Sequence, residues 1–405
     1  MINLTKITDY ALVYLMVAFS GIPFFYYSGI QLIIPMLLFP LGVVIYRRRK
    51  IDRFILLYFM VVAILLFLQT IKFYHLVYST YAGLLARLLF AYLVIIGVGQ
   101  KTVRYYINIL TFSVITSLFI NFISYIPAIN QLLTHTIAPL FNHPLLMHEK
   151  FTIWPQLLLY TINYKGEGIG SLIMRNSGPF WEPGAFAGFI LIALLMNTIV
   201  TGKLLGNRIN HILLLGLLTT FSTTGLLAAF TLVGCYYLIW GTGWSRLIIV
   251  PLLVVGGLTA YQSFAFLGTK IDKAMDVANI GYNTRFKSAF LDLNDFVKHP
   301  LLGMGMTKET RFEGETKHRI IHRNNGVTNL LATYGIFIFI AYFTLIWLSF
   351  HRICQAYNFD PAFAWLALLI VLMMGFSEIF FNKILFYGLT MLHVLFPRKE
   401  LKSRS

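Results

Sequence analysis

The chain has 405 residues, of which 58% are hydrophobic and 12% are charged. A soluble domain carries about 25% charged residues, so this chain has too little charge to cover its surface in water, and the composition excludes a soluble protein. The net charge of +17 would suit nucleic acid, but most basic residues lie in junctions between apolar segments. We therefore expect the lipid bilayer, and no nucleic acid, as a partner.

Apolar segments of about 20 residues recur along the chain, and each is long enough to cross a bilayer as a helix. The predicted spans, in chain order, are 10–27, 29–46, 54–71, 78–99, 105–126, 184–201, 209–221, 223–240, 247–266, 327–350, 361–380 and 384–396. The predicted fold class is therefore all-α. We expect a polytopic integral membrane protein in which residues 1–405 form a single transmembrane domain of about 12 helices.

The junctions between these spans alternate in basicity along the chain. One set carries 16 basic residues, including the run 47–50, whereas the short junctions of the other set carry only Lys72 and Lys383. Positively charged junctions stay on the cytoplasmic side of a membrane. Both termini are therefore predicted to be cytoplasmic, in a bacterial inner (plasma) membrane.

This topology places two long loops, 127–183 and 267–326, on the external (periplasmic) side. Loops of such length are usually functional or structured themselves. Apolar residues at helical spacing, Phe286, Phe290 and Val297 among them, predict an amphipathic helix at 285–298. Such a helix either lies in the membrane interface with its apolar face down or forms the core of a small loop domain, and the sequence leaves both alternatives open.

Five arginines in these loops are candidates for an anion site, because basic residues are normally scarce on the external side. They are Arg175, Arg285, Arg311, Arg319 and Arg323. One interpretation is a solvated loop with ordinary salt bridges. The other is a site for a pyrophosphate, which guanidinium groups bind bidentately while staying charged.

The segment 175–184 combines Arg175 and Glu182 with turn residues directly before a predicted span. Pro183 suits the first position of a helix. Glu182 would then lie at the positive end of the helix dipole. The side chain of Glu182 is therefore either a helix cap or a functional carboxylate.

The segment 318–326 precedes another span and supplies His322, which can act as a general base near neutral pH. Two further charges, Arg87 and Glu378, fall inside predicted spans, where charged groups pair or line a polar cavity. We expect these two to face each other or a shared cavity. No nucleotide-binding motif and no Asp-x-Asp motif appears in the sequence, so no metal and no cofactor is predicted.

Three segments resemble bacterial O-antigen polymerases and the related O-antigen ligases. The first is Arg175 to Gly184, similar to the Arg…Glu-Pro-Gly segment of repeat-unit polymerases. The second is 221–225, and the third runs from 283 through 299–305 to 335. Ligases tend to show a His-Asn pair shortly before the glycine that ends the third segment, whereas Asn324-Asn325 stands here, and this difference favours a polymerase.

The resemblance implies a metal-independent membrane glycosyltransferase that polymerises polyprenyl-pyrophosphate-linked repeat units of O-antigen, capsule or exopolysaccharide on the external face of the inner membrane. Donor and acceptor are both lipid-linked glycans, and a chain-length regulator is admitted as a further partner. The alternatives are an O-antigen ligase that transfers glycan to lipid A-core, and a lipid-linked oligosaccharide flippase or other transporter.

The resemblance also assigns roles to the candidate residues. His322 or Glu182 would be the base that takes the proton of the attacking hydroxyl. Residues expected to bind substrate are Arg175, Arg285, Arg319, Arg323, Asn324 and Asn325. We expect Arg175, Arg285 and Arg323 to converge on the pyrophosphate, and Arg311 and Lys308 to be dispensable.

Overall fold

The computed structural model of the protein describes residues 4–26, 29–141, 155–163, 174–241, 243, 285–311 and 323–396. Helices make up about 77% of the structure. The described strands form one short antiparallel hairpin, in which Gln156–Leu157 pairs with Tyr160–Thr161. The all-α fold class is confirmed.

The helices follow one another with short connections in the first part of the chain. They are α1 (Leu4–Gly21), α2 (Pro23–Tyr26), α3 (Gly29–Met36), α4 (Leu38–Tyr46), α5 (Arg53–Phe73), α6 (Tyr78–Val98), α7 (Lys101–Ile123) and α8 (Pro127–Gln131), and the chain continues in a π-helical turn (Leu132–Ile137) and a 3-10 turn (Ala138–Phe141).

The second part of the chain contains the longest described helix. Its helices are α9 (Pro183–Thr201), α10 (Arg208–Thr219), α11 (Thr223–Trp240), α12 (Arg285–Lys298), α13 (Lys308–Arg311), α14 (Gly326–Ala356), α15 (Phe363–Ser377) and α16 (Ile384–Met391), which ends in a 3-10 turn (Leu392–Leu395).

Six of the described helices are long and apolar enough to cross a membrane: α5, α6, α7, α9, α11 and α14. Four shorter apolar helices accompany them, at Leu32–Tyr46, Arg208–Thr219, Phe363–Ser377 and Ile384–Leu395. Every predicted span contains a helix except 247–266, which lies outside the described residues. This architecture is compatible with a multi-pass membrane protein.

Helix α9 is the central element of the core. Its side chains are buried around nearly the whole helix, and it packs against α7, α10, α11 and α15. A helix that is apolar on all sides belongs in the interior of a bundle. By contrast, α5 leaves many large apolar side chains exposed, Leu56, Met60 and Phe67 among them, which suits contact with lipid.

A kink in α14 receives the segment that follows α12. Gly335 has φ +77° and interrupts the helix. The freed carbonyl groups of Ala332 and Thr333 accept hydrogen bonds from the backbone N–H groups of Met304 and Gly305, at 2.8 and 3.1 Å. A Cβ on Gly335 would collide with the carbonyl oxygen of Leu301. Backbone hydrogen bonds therefore connect two parts of the third sequence segment, residues 299–305 and the end of the segment at residue 335.

Candidate active site

The segment before α9 is fixed by a buried asparagine. The Asn176 side chain donates to Ser117 and Thr219, at 3.1 and 3.0 Å, and accepts from the backbone N–H of Gly178 at 2.9 Å. Beside it, Arg175 donates through Nε to the carbonyl oxygen of Thr220 at 3.2 Å. The first sequence segment (175–184) is therefore attached to the turn between α10 and α11. This turn leads directly into the second sequence segment (221–225).

Glu182 is the N-cap residue of α9, and Pro183 is the first residue of the helix, as the sequence predicted. The Glu182 side chain makes no capping hydrogen bond. Instead it lies beside the carboxyl group of Glu378 and raises the pKa of that group. Glu182 therefore holds the N-cap position without a capping side-chain bond, and its carboxyl group belongs to a pair with that of Glu378.

Glu378 lies just beyond the end of α15, in the connection to α16. Two glycines allow this close approach: a Cβ on Gly184 would lie 3.2 Å from Oε1 of Glu378, and a Cβ on Gly326 would collide with its backbone oxygen. Asn325 accepts from the backbone N–H of Thr328 at 3.1 Å and so caps α14 at this point. The Asn-Gly pair of the third segment thus positions Glu378.

Arg285, at the start of α12, reaches the same carboxyl pair from the second loop. Its Nε donates to the carbonyl oxygen of Ser377 at 2.7 Å, and a terminal nitrogen lies 3.3 Å from Oε1 of Glu378. The Arg285 side chain is 47% exposed, whereas that of Glu378 is only 12% exposed. One edge of the Arg285 guanidinium is therefore anchored while the rest stays accessible to a ligand.

Arg175 completes what we call the Arg–Glu cluster: Arg175, Glu182, Arg285 and Glu378. Burial lowers the pKa of Arg175, the Arg285 charge adds to this, and the two carboxyl groups oppose it. These interactions place Arg175 within electrostatic range of Arg285 and of both carboxyl groups. Two of the three arginines predicted to converge therefore act on the same pair of carboxyl groups, although they come from different loops.

The two carboxyl groups of this cluster disfavour each other's ionisation, because like charges at close range repel. Burial, and then the neighbouring Glu182, raise the pKa of Glu378 well above the usual range of a glutamate, against the opposing effect of Arg285. A carboxyl pair with one proton can accept or donate a proton at a reacting group. The arginines beside it can stabilise a developing negative charge.

A further cation lies next to the cluster. Lys383 is buried, and its ammonium group lies 3.5 Å from the ring centre of Tyr26 and 4.8 Å from that of Trp181. Trp181 precedes Glu182 in the chain and stacks against Tyr26. With one shared proton on the carboxyl pair, the positive charges outnumber the negative ones, so this region suits an anion.

Arg323 belongs to a different group, which corrects the prediction that it joins Arg175 and Arg285. It is buried and pairs with Asp292 at 3.0 Å and Asp295 at 2.9 Å. Both aspartates lie on α12, and Asp292 is seven residues from Arg285, which corresponds to about 10 Å along a helix. The charge of Arg323 is therefore compensated away from the cluster.

Arg311 contributes to the same second group, which we call the Arg–Asp network: Asp292, Asp295, Arg311 and Arg323. Arg311 is buried and lies 2.6 Å from Asp292, and Thr328 donates to that carboxylate at 2.8 Å. The buried position of Arg311 argues against the expectation that it is dispensable, because its removal would leave a buried carboxylate with one fewer partner.

The remaining predicted residues are distributed as follows. Asn325 has the structural capping role given above, and Asn324 is exposed, with its backbone N–H 3.3 Å from the hydroxyl of Ser288. His322 and Arg319 lie outside the described residues. The asparagine pair was predicted to bind substrate; the structure gives Asn325 a positioning role and leaves Asn324 accessible.

Arg87 and Glu378 do not form an ion pair with each other, and the alternative that they face a shared cavity stays a prediction. Both residues are described, and Glu378 forms its ion pair with Arg285. Arg87 donates through Nε to the carbonyl oxygen of Gly83, one turn earlier in its own helix. Sequence position alone could not reveal that Glu378 lies beyond its helix, where a loop residue can reach it.

No protein-family model, no curated protein and no solved structure matches this chain. Within the described ranges, no group of three or more His, Cys, Asp or Glu side chains could hold a metal ion. The candidate site therefore has to be judged by its own geometry.

The sequence offered one signal for the missed carboxyl pair. Glu378 is an acidic residue close to the end of an apolar segment, which indicates a partner or a polar site. Nothing in the sequence indicated that this partner was Arg285, because the two residues are far apart in the chain. For Asp292 and Asp295 the useful signal was their place on the polar face of the predicted helix.

Proposed function

We propose that this protein is an integral membrane glycosyltransferase that polymerises polyprenyl-pyrophosphate-linked oligosaccharide repeat units. The observation that carries the proposal is the convergence of Arg175 and Arg285, from two distant segments, on the Glu182–Glu378 carboxyl pair. Two guanidinium groups suit a pyrophosphate, and a carboxyl pair suits a hydroxyl nucleophile. The sequence resemblance to O-antigen polymerases is a second, independent support.

In the proposed reaction, a sugar hydroxyl of the acceptor attacks the anomeric carbon of the donor. A bond forms between this oxygen and the carbon, while the bond from the carbon to the pyrophosphate oxygen breaks. The polyprenyl pyrophosphate leaves with the bonding electrons, and Arg175 and Arg285 stabilise its charge. The ionised member of the carboxyl pair takes the hydroxyl proton. His322 stays a candidate base from the sequence alone.

The proposed setting is a bacterial inner membrane, with about twelve spans, cytoplasmic termini and both long loops external. The basic junctions of the sequence support this topology. The cluster joins residue 175 of the first loop to residue 285 of the second, which fits loops that share one side of the membrane. Reporter fusions at Lys203 and Arg352 should give a cytoplasmic signal; an external signal at either position would overturn the topology.

The proposed activity can be tested with purified protein in proteoliposomes and a lipid-linked repeat unit as both donor and acceptor. Gel analysis should show a ladder of lengthening glycans on the lipid carrier. A ligase would leave this substrate unchanged and would transfer glycan only when lipid A-core is added. A transporter would move the intact substrate across the bilayer without a new glycosidic bond. Either of these results would overturn the polymerase proposal.

A further inference from the structure

Helix α12 turns its polar face toward the protein and its apolar face outward. The residues turned toward the protein include Ser288, Asp292 and Asp295, which are buried against α14. The outward face consists of Phe286, Phe290, Leu293 and Val297, whose exposed fractions are 44%, 59%, 44% and 74%. A helix of a water-soluble loop domain would bury the second set, so the outward face is suited to hydrocarbon.

The inward orientation is fixed by strong contacts. Asp292 is fully buried and contacts Arg311, Arg323 and Thr328. Rotating α12 to bury its apolar face would carry this carboxylate out of all three contacts. The apolar face is therefore held outward by the Arg–Asp network, and it needs an external apolar partner.

The apolar surface continues at both ends of α12. At the start of the helix, the ring of Phe286 packs edge-on against Phe376 of α15, with ring centres 5.2 Å apart. After the helix, Leu301 is exposed on the segment that docks at the kink of α14, where Phe337 is also exposed. We call the outward face of α12, together with Phe376, Leu301 and Phe337, the apolar strip.

The strip begins beside the Arg–Glu cluster. Phe286 follows Arg285 directly, and Val297 lies eleven residues further along α12, which corresponds to about 16 Å. A ligand with an anionic head and a long apolar tail would find its head group at Arg285 and Arg175 and its tail contacts along the strip. A single polyprenyl pyrophosphate molecule has this arrangement, with a charged head group at one end and an apolar tail behind it.

We infer that the outward face of α12 binds the polyprenyl tail of the lipid-linked substrate while the Arg–Glu cluster holds its pyrophosphate. The inference rests on the proposed function for the nature of the substrate. It adds a specific binding surface for the tail, outside the bundle of spanning helices, and makes the length of the tail a determinant of affinity.

The test measures binding of unglycosylated polyprenyl pyrophosphates to the full-length protein in phosphatidylcholine nanodiscs, with an undecaprenyl and a geranyl compound. The double variant Leu293→Ser, Val297→Ser should weaken undecaprenyl pyrophosphate binding about tenfold, that is by about 1.4 kcal/mol, and leave geranyl pyrophosphate binding unchanged. The matched control is Phe67→Ser, at a side chain exposed on α5, which should alter neither. Equal weakening of both compounds, or of neither, would overturn the inference.

A second measurement needs no variant. An undecaprenyl pyrophosphate with a photoreactive diazirine in its tail should label peptides of 286–301 in the wild-type protein, and excess unlabelled compound should prevent this. Labelling that follows bulk lipid, and persists under competition, would overturn the tail site while the polymerase proposal stands. Failure of the wild-type protein to bind either compound would overturn the proposed function as well.

Discussion

The Arg–Glu cluster and the Arg–Asp network have the same composition, two arginines and two carboxylic acids, but different geometry. In the network, Asp292 contacts two arginines, Arg323 contacts both aspartates, and the groups are almost wholly buried. In the cluster, the carboxyl groups contact each other and Arg285 is half exposed. Helix α12 contributes to both.

This difference marks the network as a structural group of charges and the cluster as the candidate functional one. Opposite charges that satisfy each other in the interior hold elements together, and removing one partner leaves an uncompensated charge. Carboxyl groups in mutual contact are unfavourable in the free protein, and such arrangements with displaced pKa values concentrate at functional sites. Mutations in the Arg–Asp network should therefore lower stability, whereas mutations in the Arg–Glu cluster should lower activity and leave stability nearly unchanged.

The largest expected effect is on stability, in the Arg–Asp network. Asp292→Ala leaves Arg311 and Arg323 buried with a lost partner, and should destabilise the protein by about 3–5 kcal/mol. Arg311→Ala should act in the same direction. Thermal unfolding in detergent, followed by size-exclusion chromatography, measures both. Wild-type melting of Asp292→Ala would contradict the structural role of the network.

The next effect is on activity, in the Arg–Glu cluster. Arg285→Lys keeps the charge but loses the planar fork that reaches Ser377, Glu378 and a ligand together. Glycan transfer should fall by about 10²–10³-fold, as for loss of one preorganised charge-stabilising donor, while thermal stability stays near that of the wild type.

Lys298→Ala is the matched control, because Lys298 is an exposed cation at the other end of the same helix. It should retain transfer and stability. Equal loss of transfer in Lys298→Ala and Arg285→Lys would indicate that any change of charge on α12 lowers activity. The distinction between the Arg–Glu cluster and the Arg–Asp network would then no longer hold.

A smaller effect concerns the dependence of stability on pH. The raised pKa of Glu378 means that the folded state binds a proton which the unfolded state releases at lower pH. Stability should therefore fall as pH rises from the ordinary glutamate range through the folded pKa. Glu378→Gln removes this titration, so its unfolding temperature should change less over that window. Identical pH profiles for both proteins would argue against a shared proton in the cluster.

The smallest effect tests a single hydrogen bond of the network. Thr328→Val removes the hydroxyl that donates to Asp292 while keeping a β-branched side chain, and should cost about 1.5 kcal/mol. Thr231→Val is the control, because the hydroxyl of Thr231 is bonded only within its own helix, at an exposed position. A cost no larger than that of the control would place Thr328 outside the network.

The sequence predicted the helical class because long apolar segments leave little alternative to helices. It also predicted the helix at 285–298, where the structure has α12, but could not decide between its two alternatives. The apolar spacing of Phe286 and Phe290 was visible in the chain, whereas the buried partners of Asp292 come from residues 311, 323 and 328. Only the folded arrangement shows which face is turned inward.

The candidate site was predictable to a similar extent. The sequence indicates Arg175, Glu182 and Arg285 because charged residues in predicted external loops need a cause. Arg323 was grouped with them on the same ground, although it belongs to the network. Proximity in sequence and shared charge cannot separate an arginine that meets two aspartates from one that stays half exposed.

The Arg–Asp network also bears on how the second loop can vary in evolution. Arg311 and Arg323 both contact Oδ1 of Asp292, so the two ends of the segment 312–322 are held at one carboxylate. Closing a longer loop between fixed ends costs little, about 0.6 kcal/mol for each doubling of its length. A change in the length of this segment would therefore cost little stability and would not require the helices on either side to be refitted.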